Sequence, residues 1–309
     1  MSSASASKSS QTPEVGVAAA LTHGCGDRGA SKFRTVFDEF RLDGRVGIVT
    51  GANGGIGLES ALALAELGAK IWVLDVVESP STEFEACAVY AKALYRESAS
   101  RRGEDPAKER LVYRPVDVTD QNALQKICQE IVASEGRLDI CIAAAGILPA
   151  EKSCIDVTSE EFQKVMSVNS TGVFNTATKA AAEMSALGIP GSIILIASMS
   201  GSITNREHAW IAYNTSKSAV LQMGRSMACE LGSRGIRVNT LSPGHIRTAM
   251  TARYLDENPE LESKWSSMNP LGRIGRPHEL RGVISWLASD ASTFCTGSDI
   301  IVSGGHHSW

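Results

Sequence analysis

The sequence lacks features that would assign it to membrane or nucleic-acid-binding classes. It has no run of ~18 apolar residues, the length of a membrane-spanning helix, and residues 1–10 lack the apolar core of a secretory signal. Its 30 Lys and Arg residues are fewer than its 34 Asp and Glu residues, so the basic surplus that binds nucleic-acid phosphates is missing. We therefore predict no membrane partner and no nucleic-acid partner.

Cysteine pairs at metal-ligand spacing are also missing. The seven cysteines are an odd number, are widely scattered and include no Cys-x-x-Cys pair. The sequence therefore predicts reduced cysteines that serve as packing residues, no structural metal and a cytoplasmic location.

What the sequence does contain is a regular alternation of apolar, strand-like segments and Ala/Leu-rich helical segments. The predicted strands span residues 45–50, 70–75, 111–116, 138–143, 192–197, 236–241 and 298–302. The predicted helices span residues 58–67, 84–98, 123–134, 160–184, 213–232 and 279–289. Strict alternation predicts an α/β fold with a doubly wound parallel sheet of seven strands and helices on both faces. The length of 309 residues allows one domain or two, and the single alternating series favours one.

Three stretches depart from the alternation. Residues 1–36 are predicted to be a disordered or loosely docked tail that precedes a domain of residues 37–309, with a transit peptide as the alternative. The mixed-charge residues 101–110 predict a solvated surface insertion. Residues 244–277 form a long connection, and connections of that length inside a domain usually bind or cover a ligand.

A glycine-rich turn at residues 50–57 joins the first predicted strand to the first helix. Gly51, Gly55 and Gly57 would allow a tight turn and a close approach of the backbone to a ligand. The free N–H groups of the following helix would bind a pyrophosphate. The turn therefore predicts a dinucleotide site, the alternative being a turn that only packs helix against strand.

Asp75 ends the second strand, where a carboxylate can accept hydrogen bonds from the hydroxyls of the adenosine ribose. A 2′-phosphate there would meet a negative charge, and neither Gly54 nor Val76 supplies a compensating cation. This position predicts NAD in preference to NADP. The alternative is that Asp75 is only a turn residue at the end of a strand.

Tyr213 and Lys217 are four residues apart and lie on one face of a predicted helix. A neighbouring ammonium group favours the phenolate, so we expect Lys217 to lower the pKa of Tyr213 into a useful range. Ser198 follows an apolar strand, at the edge where open α/β sheets bind ligands. The three residues predict an acid–base site, the alternative for the Tyr–Lys pair alone being a solvent-facing helix surface.

These motifs occur in a fixed order, and together they make the chain resemble the short-chain dehydrogenase/reductase family over residues 37–305. They are the turn at 50–57, Asp117–Val118, Ala145–Gly146, Asn169, Ser198, the Tyr213 and Lys217 pair, Pro243–Gly244 and Thr248. The sequence is most similar to the fungal polyol and ketose reductases of the mannitol and arabinitol dehydrogenase type, for example at residues 269–273 and 291–299.

The resemblance implies a Rossmann-like fold and roles for individual residues. Tyr213 would be the acid–base group, Lys217 would assist it and bind the nicotinamide ribose, and Ser198 would orient the substrate oxygen. Asn169 would hold a water that relays protons. The implied cofactor contacts are Gly51, Asn53, Gly55, Ile56, Gly57, Asp75, Asp117, Val118, Ala144, Gly146, Tyr213, Lys217, Pro243, Gly244, Ile246 and Thr248.

The chain departs from the family pattern at one motif. It has Ala143-Ala144-Ala145-Gly146 where many members have Asn-Asn-Ala-Gly, so the side-chain amides that steady the central strands are lost. The arginines of residues 101–110 could also approach a ribose phosphate, which keeps NADP as the minority option.

The resulting functional prediction is an NAD(H)-dependent oxidoreductase that interconverts a small-molecule secondary alcohol and a ketone, with a polyol and its ketose preferred. One alternative is a tailoring enzyme for a hydrophobic alcohol or ketone, and another is a dinucleotide-binding sensor or scaffold without turnover. The family resemblance implies a homo-oligomer, a tetramer or a dimer.

Four other residues have two interpretations each. His245 and Trp210 either contact the substrate or only pack in loops. His306 and His307 are predicted to lie in a solvated tail, with a weak metal site as the alternative.

Overall fold

The computed structural model describes residues 15–24, 34–102, 108–206, 208–248, 251–252, 255–256 and 258–308. Its strands are β1 (Val46–Thr50), β2 (Lys70–Asp75), β3 (Leu111–Pro115), β4 (Ile140–Ala143), β5 (Gly191–Ile196), β6 (Ile236–Pro243) and β7 (Asp299–Val302). All six strand pairings are parallel, and the order across the sheet is β3-β2-β1-β4-β5-β6-β7. The predicted single parallel sheet of seven strands is confirmed.

Helices cover both faces of the sheet. They are α1 (Gly16–Gly24), α2 (Val36–Phe40), α3 (Gly55–Glu66), α4 (Thr82–Arg102), α5 (Gln121–Glu135), α6 (Ser159–Met166), α7 (Val173–Leu187), α8 (Ile211–Leu231), α9 (Pro259–Ser267) and α10 (Arg281–Ala288). One buried apolar cluster joins the sheet to α5, α7 and α8, and another joins it to α3, α4 and α10. The strand order reverses between β1 and β4, which opens a crevice at the carboxyl ends of these strands.

The long helix predicted over residues 160–184 contains a π-helical turn. A π-helical turn, Ser167–Gly172, separates α6 from α7. A Cβ atom on Gly172 would lie 2.5 Å from Val118 Cγ2, so the backbone approaches its neighbour too closely for a side chain. The predicted helix is confirmed as one run of helical backbone, but the π-helical turn within it was not predicted, because apolar spacing alone does not reveal a single added residue in a turn.

The prediction of a solvated insertion at residues 101–110 is wrong at Arg110, whereas Lys108 and Glu109 are exposed as expected. Helix α4 continues to Arg102, and Arg110 is only 5% exposed. The Arg110 guanidinium lies 3.4 Å from the centre of the Tyr95 ring and donates to Gly68 O at 2.8 Å. Gly68 precedes β2, so Arg110 lies at the amino edge of the sheet and not beside a cofactor ribose. Residues 103–107 lie outside the described residues.

Residues 244–277 and the N-terminal segment are both partly helical. The long connection contains α9, and its Trp265 is only 2% exposed. In the N-terminal segment, Arg34 binds the carboxylate of Asp290, which also binds Arg45 next to β1. The rest of the prediction for the tail falls on residues 1–14 and 25–33, which lie outside the described residues.

The cysteines differ in their exposure to solvent. Cys128 and Cys141 are buried and pack in the core, whereas Cys154 and Cys229 are exposed, so the packing prediction is wrong for the exposed pair. Within the described ranges, no helix is both long enough and apolar enough to cross a lipid bilayer.

Candidate active site

A cavity of about 500 Å³ extends along the carboxyl edge of the sheet, from the glycine turn to Trp265. All of the predicted site residues line it except Asn53 and Asn169. A volume of this size is typical of small-molecule sites.

The glycine turn is shaped to accept a phosphate group. Gly51 has φ +63°, and a Cβ atom there would lie 2.6 Å from Ala145 Cα. A Cβ atom on Gly57 would lie 2.3 Å from Gly51 O. The turn is therefore too tight for any side chain at these two positions. Gly54 precedes α3 and provides no side-chain cap, which leaves the first N–H groups of the helix available to an anion. These residues therefore fit the pyrophosphate of a dinucleotide.

Asp75 lies where the adenosine ribose would be held. Its Oδ2 atom accepts from Asn53 N at 3.0 Å and its Oδ1 atom from Val77 N at 3.4 Å. The Asn53 side chain faces away from the cavity, because it accepts from Ser81 N at 2.6 Å and donates to Ser79 O at 3.2 Å. Asn53 thus joins the loop after β2 to the glycine turn.

The Ala143–Gly146 departure is compensated locally. Ala144 N and Ala145 N donate to Thr50 Oγ1 at 3.2 and 3.4 Å, so a hydroxyl at the end of β1 ties down the start of the loop after β4. Asp117 and Val118 also line the cavity, and their contact with an adenine ring remains a prediction. The Val118 carbonyl accepts from Asn175 Nδ2 at 3.0 Å, which anchors this segment to α7.

Ser198, Tyr213 and Lys217 meet at the centre of the cavity. Ser198 follows β5, and its Oγ atom accepts from Ser200 N at 3.2 Å. The Tyr213 hydroxyl hydrogen-bonds Ser198. Lys217 lies one turn later on α8, donates from Nζ to Ile196 O at 2.8 Å and is 5.7 Å from the centre of the Tyr213 ring. The structure therefore brings the three predicted residues together.

The pKa of Tyr213 moves in the opposite direction from the one expected. Burial raises the pKa of Tyr213, and the hydrogen bond with Ser198 only opposes that rise. Burial also lowers the pKa of Lys217 to about 8, so the ammonium group is itself disfavoured by the site. The predicted lowering of the Tyr213 pKa by Lys217 is not found.

Asn169 lies behind the cavity wall, within the π-helical turn, and is fully buried. Its Oδ1 atom accepts from Ile147 N at 2.8 Å, and its Nδ2 atom donates to Ile147 O at 2.9 Å and to Ser216 Oγ at 3.2 Å. The side chain therefore joins the segment after β4 to α8. Its role in a water relay remains a prediction.

Aromatic rings form the far end of the cavity. His208 stacks on Trp210 with parallel planes and ring centres 4.3 Å apart, and His245 stacks on Trp265 at 4.2 Å. Trp265 Nε1 donates to His208 Nε2 at 2.9 Å. His208 must then carry its proton on Nδ1, which lies 2.5 Å from Glu151 Oε1. These contacts hold α9 over the cavity.

The sequence pointed to Trp210 and His245, which both line the cavity, but not to the contacts that join the aromatic rings. Glu151, His208 and Trp265 are far apart in the chain and carry no motif, so only a tertiary contact joins them. His306 was expected in a solvated tail, but it is 8% exposed, contacts His245 with ring centres 5.1 Å apart and bonds Asn269 Oδ1 at 3.0 Å. That prediction is wrong for His306. The described residues contain no group of three potential metal ligands.

Comparisons with known proteins agree with this geometry. A family model described as enoyl-(acyl carrier protein) reductase matches residues 51–307. The sorbose reductase of Schizosaccharomyces pombe is 36% identical over 267 residues, which cover 86% of this chain and 97% of that protein. The NADP-dependent mannitol dehydrogenase of Hypocrea jecorina is 32% identical, covering 88% and 95%. A crystal structure of a short-chain type dehydrogenase/reductase from Mycobacterium marinum has a TM-score of 0.77 and 36% identity, covering 88% of this chain and 98% of that one.

Proposed function

Because the chain belongs to the short-chain dehydrogenase/reductase family, we propose that it interconverts a polyol and its ketose with a nicotinamide dinucleotide. The observation that carries the proposal is the meeting of Ser198, Tyr213 and Lys217 in a cavity that begins at the glycine turn. All members of the predicted acid–base site are present, which supports an enzyme over a sensor or scaffold.

The chain's own residues perform the proton chemistry. In ketone reduction, the protonated Tyr213 hydroxyl donates its proton to the substrate oxygen, and in alcohol oxidation the phenolate accepts it. Ser198 donates a hydrogen bond to the same oxygen and stabilises charge that develops there. Lys217, anchored on Ile196 O, lies on the side of Tyr213 where the nicotinamide ribose would be held. The chemistry that a bound nicotinamide supplies is the transfer of hydride.

The dinucleotide would be held by three sets of residues at the carboxyl edge of the sheet. Gly51, Gly55, Ile56 and Gly57 would surround the pyrophosphate, and Asp75, Asp117, Val118, Ala144 and Gly146 the adenosine. Pro243, Gly244, Ile246 and Thr248 line the cavity beside β6 and would hold the carboxamide end. A Cβ atom on Gly244 would lie 2.7 Å from Ser303 Cα, so this segment packs closely against the C-terminal segment.

Support for a polyol comes from two sources. The relatives are named sorbose reductase and mannitol dehydrogenase. In addition, the substrate end of the cavity contains polar side chains, Ser200, Asn205 and His245, among its indole rings. A hydrophobic alcohol remains the competing substrate, because the rings of Trp210 and Trp265 would pack equally well against it.

A substrate panel tests the proposal. With both dinucleotides supplied, we expect turnover of mannitol and sorbose with a kcat/KM at least tenfold above that of apolar secondary alcohols and ketones of similar length. Initial rates of absorbance change at 340 nm measure it. Preference for the apolar substrates would contradict the assignment to polyols, and absence of turnover with all of them would favour the sensor alternative.

We propose NAD as the preferred cofactor. The described charged residues that line the cavity are Asp75, Asp117 and Lys217, and the lysine lies at the nicotinamide end. A 2′-phosphate on the ribose would thus face the Asp75 carboxylate with no cation beside it. The Hypocrea jecorina relative is named as NADP-dependent, so this preference requires a direct test.

We expect kcat/KM with NADH to exceed that with NADPH by tenfold or more in the wild type. Asp75→Ser removes the repelling charge and is expected to narrow that ratio by at least tenfold, or ~1.4 kcal/mol. Glu78→Gln, which removes the same charge from an exposed position in the next loop, is the matched control and should leave the ratio unchanged. A wild-type preference for NADPH would overturn the proposal.

We also infer a homo-oligomer, a tetramer or a dimer, in the cytoplasm. Support for association comes from apolar side chains exposed on α7, α8 and β7, namely Phe174, Ile211 and Ile301. Support for the compartment comes from the exposed free thiols of Cys154 and Cys229, which suit a reducing environment.

A further inference from the structure

Two buried polar side chains at the substrate end of the cavity lack hydrogen-bond partners. His245 is 9% exposed, and neither of its ring nitrogens has a partner among the described residues. Asn205 is 3% exposed; its Nδ2 atom donates to Ser200 Oγ at 2.7 Å, but its Oδ1 atom has no partner. Buried polar groups are nearly always hydrogen-bonded in folded proteins, so these three atoms require an explanation.

The His245 ring is held in place by its neighbours. One face of the ring stacks on Trp265, with an angle of 7° between the two planes. The His306 ring makes a T-shaped contact with it, with an interplanar angle of 87°. Trp265 is itself fixed by its hydrogen bond to His208, and His306 by its hydrogen bond to Asn269. These contacts fix the orientation of the His245 ring, so its nitrogens do not rotate to reach another protein group. They remain unpaired in the wall of the cavity.

The chemistry of the unpaired atoms indicates what would satisfy them. Burial lowers the pKa of His245 to about 3, with His306 and His208 adding to the effect, so the ring is neutral near pH 7. A neutral imidazole offers one donor and one acceptor, and the Asn205 oxygen offers an acceptor alone. Hydroxyl groups can donate and accept at once, so they match both side chains.

We propose that His245 and Asn205 are specificity-determining residues that hydrogen-bond the hydroxyl groups flanking the reacting carbon of a ketose or polyol. This inference rests on the proposed function and names the residues that select its substrate class. An apolar ketone of the same length would leave all three atoms buried and unpaired, and sites of this kind reject ligands that lack the hydroxyl.

The test compares ribulose with 2-pentanone, two five-carbon 2-ketones that differ in their hydroxyl groups. We expect the wild type to favour ribulose, and His245→Phe and Asn205→Leu each to lower the ribulose to 2-pentanone ratio of kcat/KM by about tenfold. The loss should appear as a higher KM for ribulose more than as a lower kcat, because the contacts are made in the bound substrate and the transition state alike.

Two further variants complete the design. His245→Gln restores a donor and an acceptor and should recover part of the ratio, which a purely structural role would not predict. His278→Phe, at an exposed position, is the matched control. If His245→Phe does not fold, Asn205→Leu and His245→Gln carry the test. If the wild type favours ribulose but the variants keep its ribulose to 2-pentanone ratio of kcat/KM, this inference alone is overturned. If the wild type favours 2-pentanone, the proposed polyol function is overturned as well.

Discussion

Replacing Tyr213 with phenylalanine is expected to lower kcat by about 10²–10⁴-fold, the usual contribution of a positioned acid–base group. The variant loses only the hydroxyl that hydrogen-bonds Ser198. Its ring can keep its packing against the aromatic cluster of Trp210 and Trp265, so the protein should fold and bind NADH as the wild type does. Steady-state kinetics and a fluorescence titration with NADH measure the two effects separately.

Tyr90→Phe is the matched control for this substitution. Tyr90 is half exposed on α4 and does not line the cavity, so removal of its hydroxyl should leave both kcat and NADH binding unchanged. Wild-type turnover in Tyr213→Phe would refute the proposed acid–base role. Loss of NADH binding along with turnover would instead indicate that the hydroxyl supports the cofactor site.

Replacing Gly57 with alanine is expected to weaken NADH binding by at least a hundredfold. The new Cβ atom would lie 2.3 Å from Gly51 O and 2.8 Å from Ala52 Cα, both of them backbone atoms that cannot move aside cheaply. The start of α3 must therefore shift, which withdraws the N–H groups that would bind the pyrophosphate. Overpacking of this kind also costs ~1–3 kcal/mol of stability, which thermal unfolding would detect.

Gly54→Ala tests the same turn without the clash. Gly54 has extended backbone with φ −173°, and a Cβ atom there has no neighbour within 4 Å. Its NADH affinity should stay within a few-fold of the wild type in calorimetric titration. Equal losses in the two alanine variants would show that the turn needs flexibility throughout rather than the close contact at Gly57.

Much of the fold follows from local sequence patterns. The seven strands lie within about two residues of their predicted positions, because buried parallel strands are continuous apolar runs that end at turns. Ser198 and Tyr213 were also predictable, since the end of a strand and the start of the next helix must meet at the carboxyl edge of a parallel sheet.

Other features depend on contacts between distant segments. The π-helical turn at Asn169 leaves no trace in apolar spacing. The sequence predicts Arg110 to be a surface charge. The fold instead places it against the Tyr95 ring and the Gly68 carbonyl. The direction of the Tyr213 pKa depended on burial, which outweighs the hydrogen bond with Ser198, and burial is a property of the assembled cavity.

The sequence by itself determined the seven-stranded parallel sheet, the glycine turn and the Ser–Tyr–Lys site, because periodicity, turn chemistry and short motifs are local properties of the chain. Only the tertiary structure decided how the substrate end of the cavity is built. There, His208 bridges Glu151 and Trp265, and His245 is enclosed by Trp265 and His306. The physical reason is that hydrogen bonding and stacking between residues far apart in the chain are fixed by packing, which no local pattern encodes.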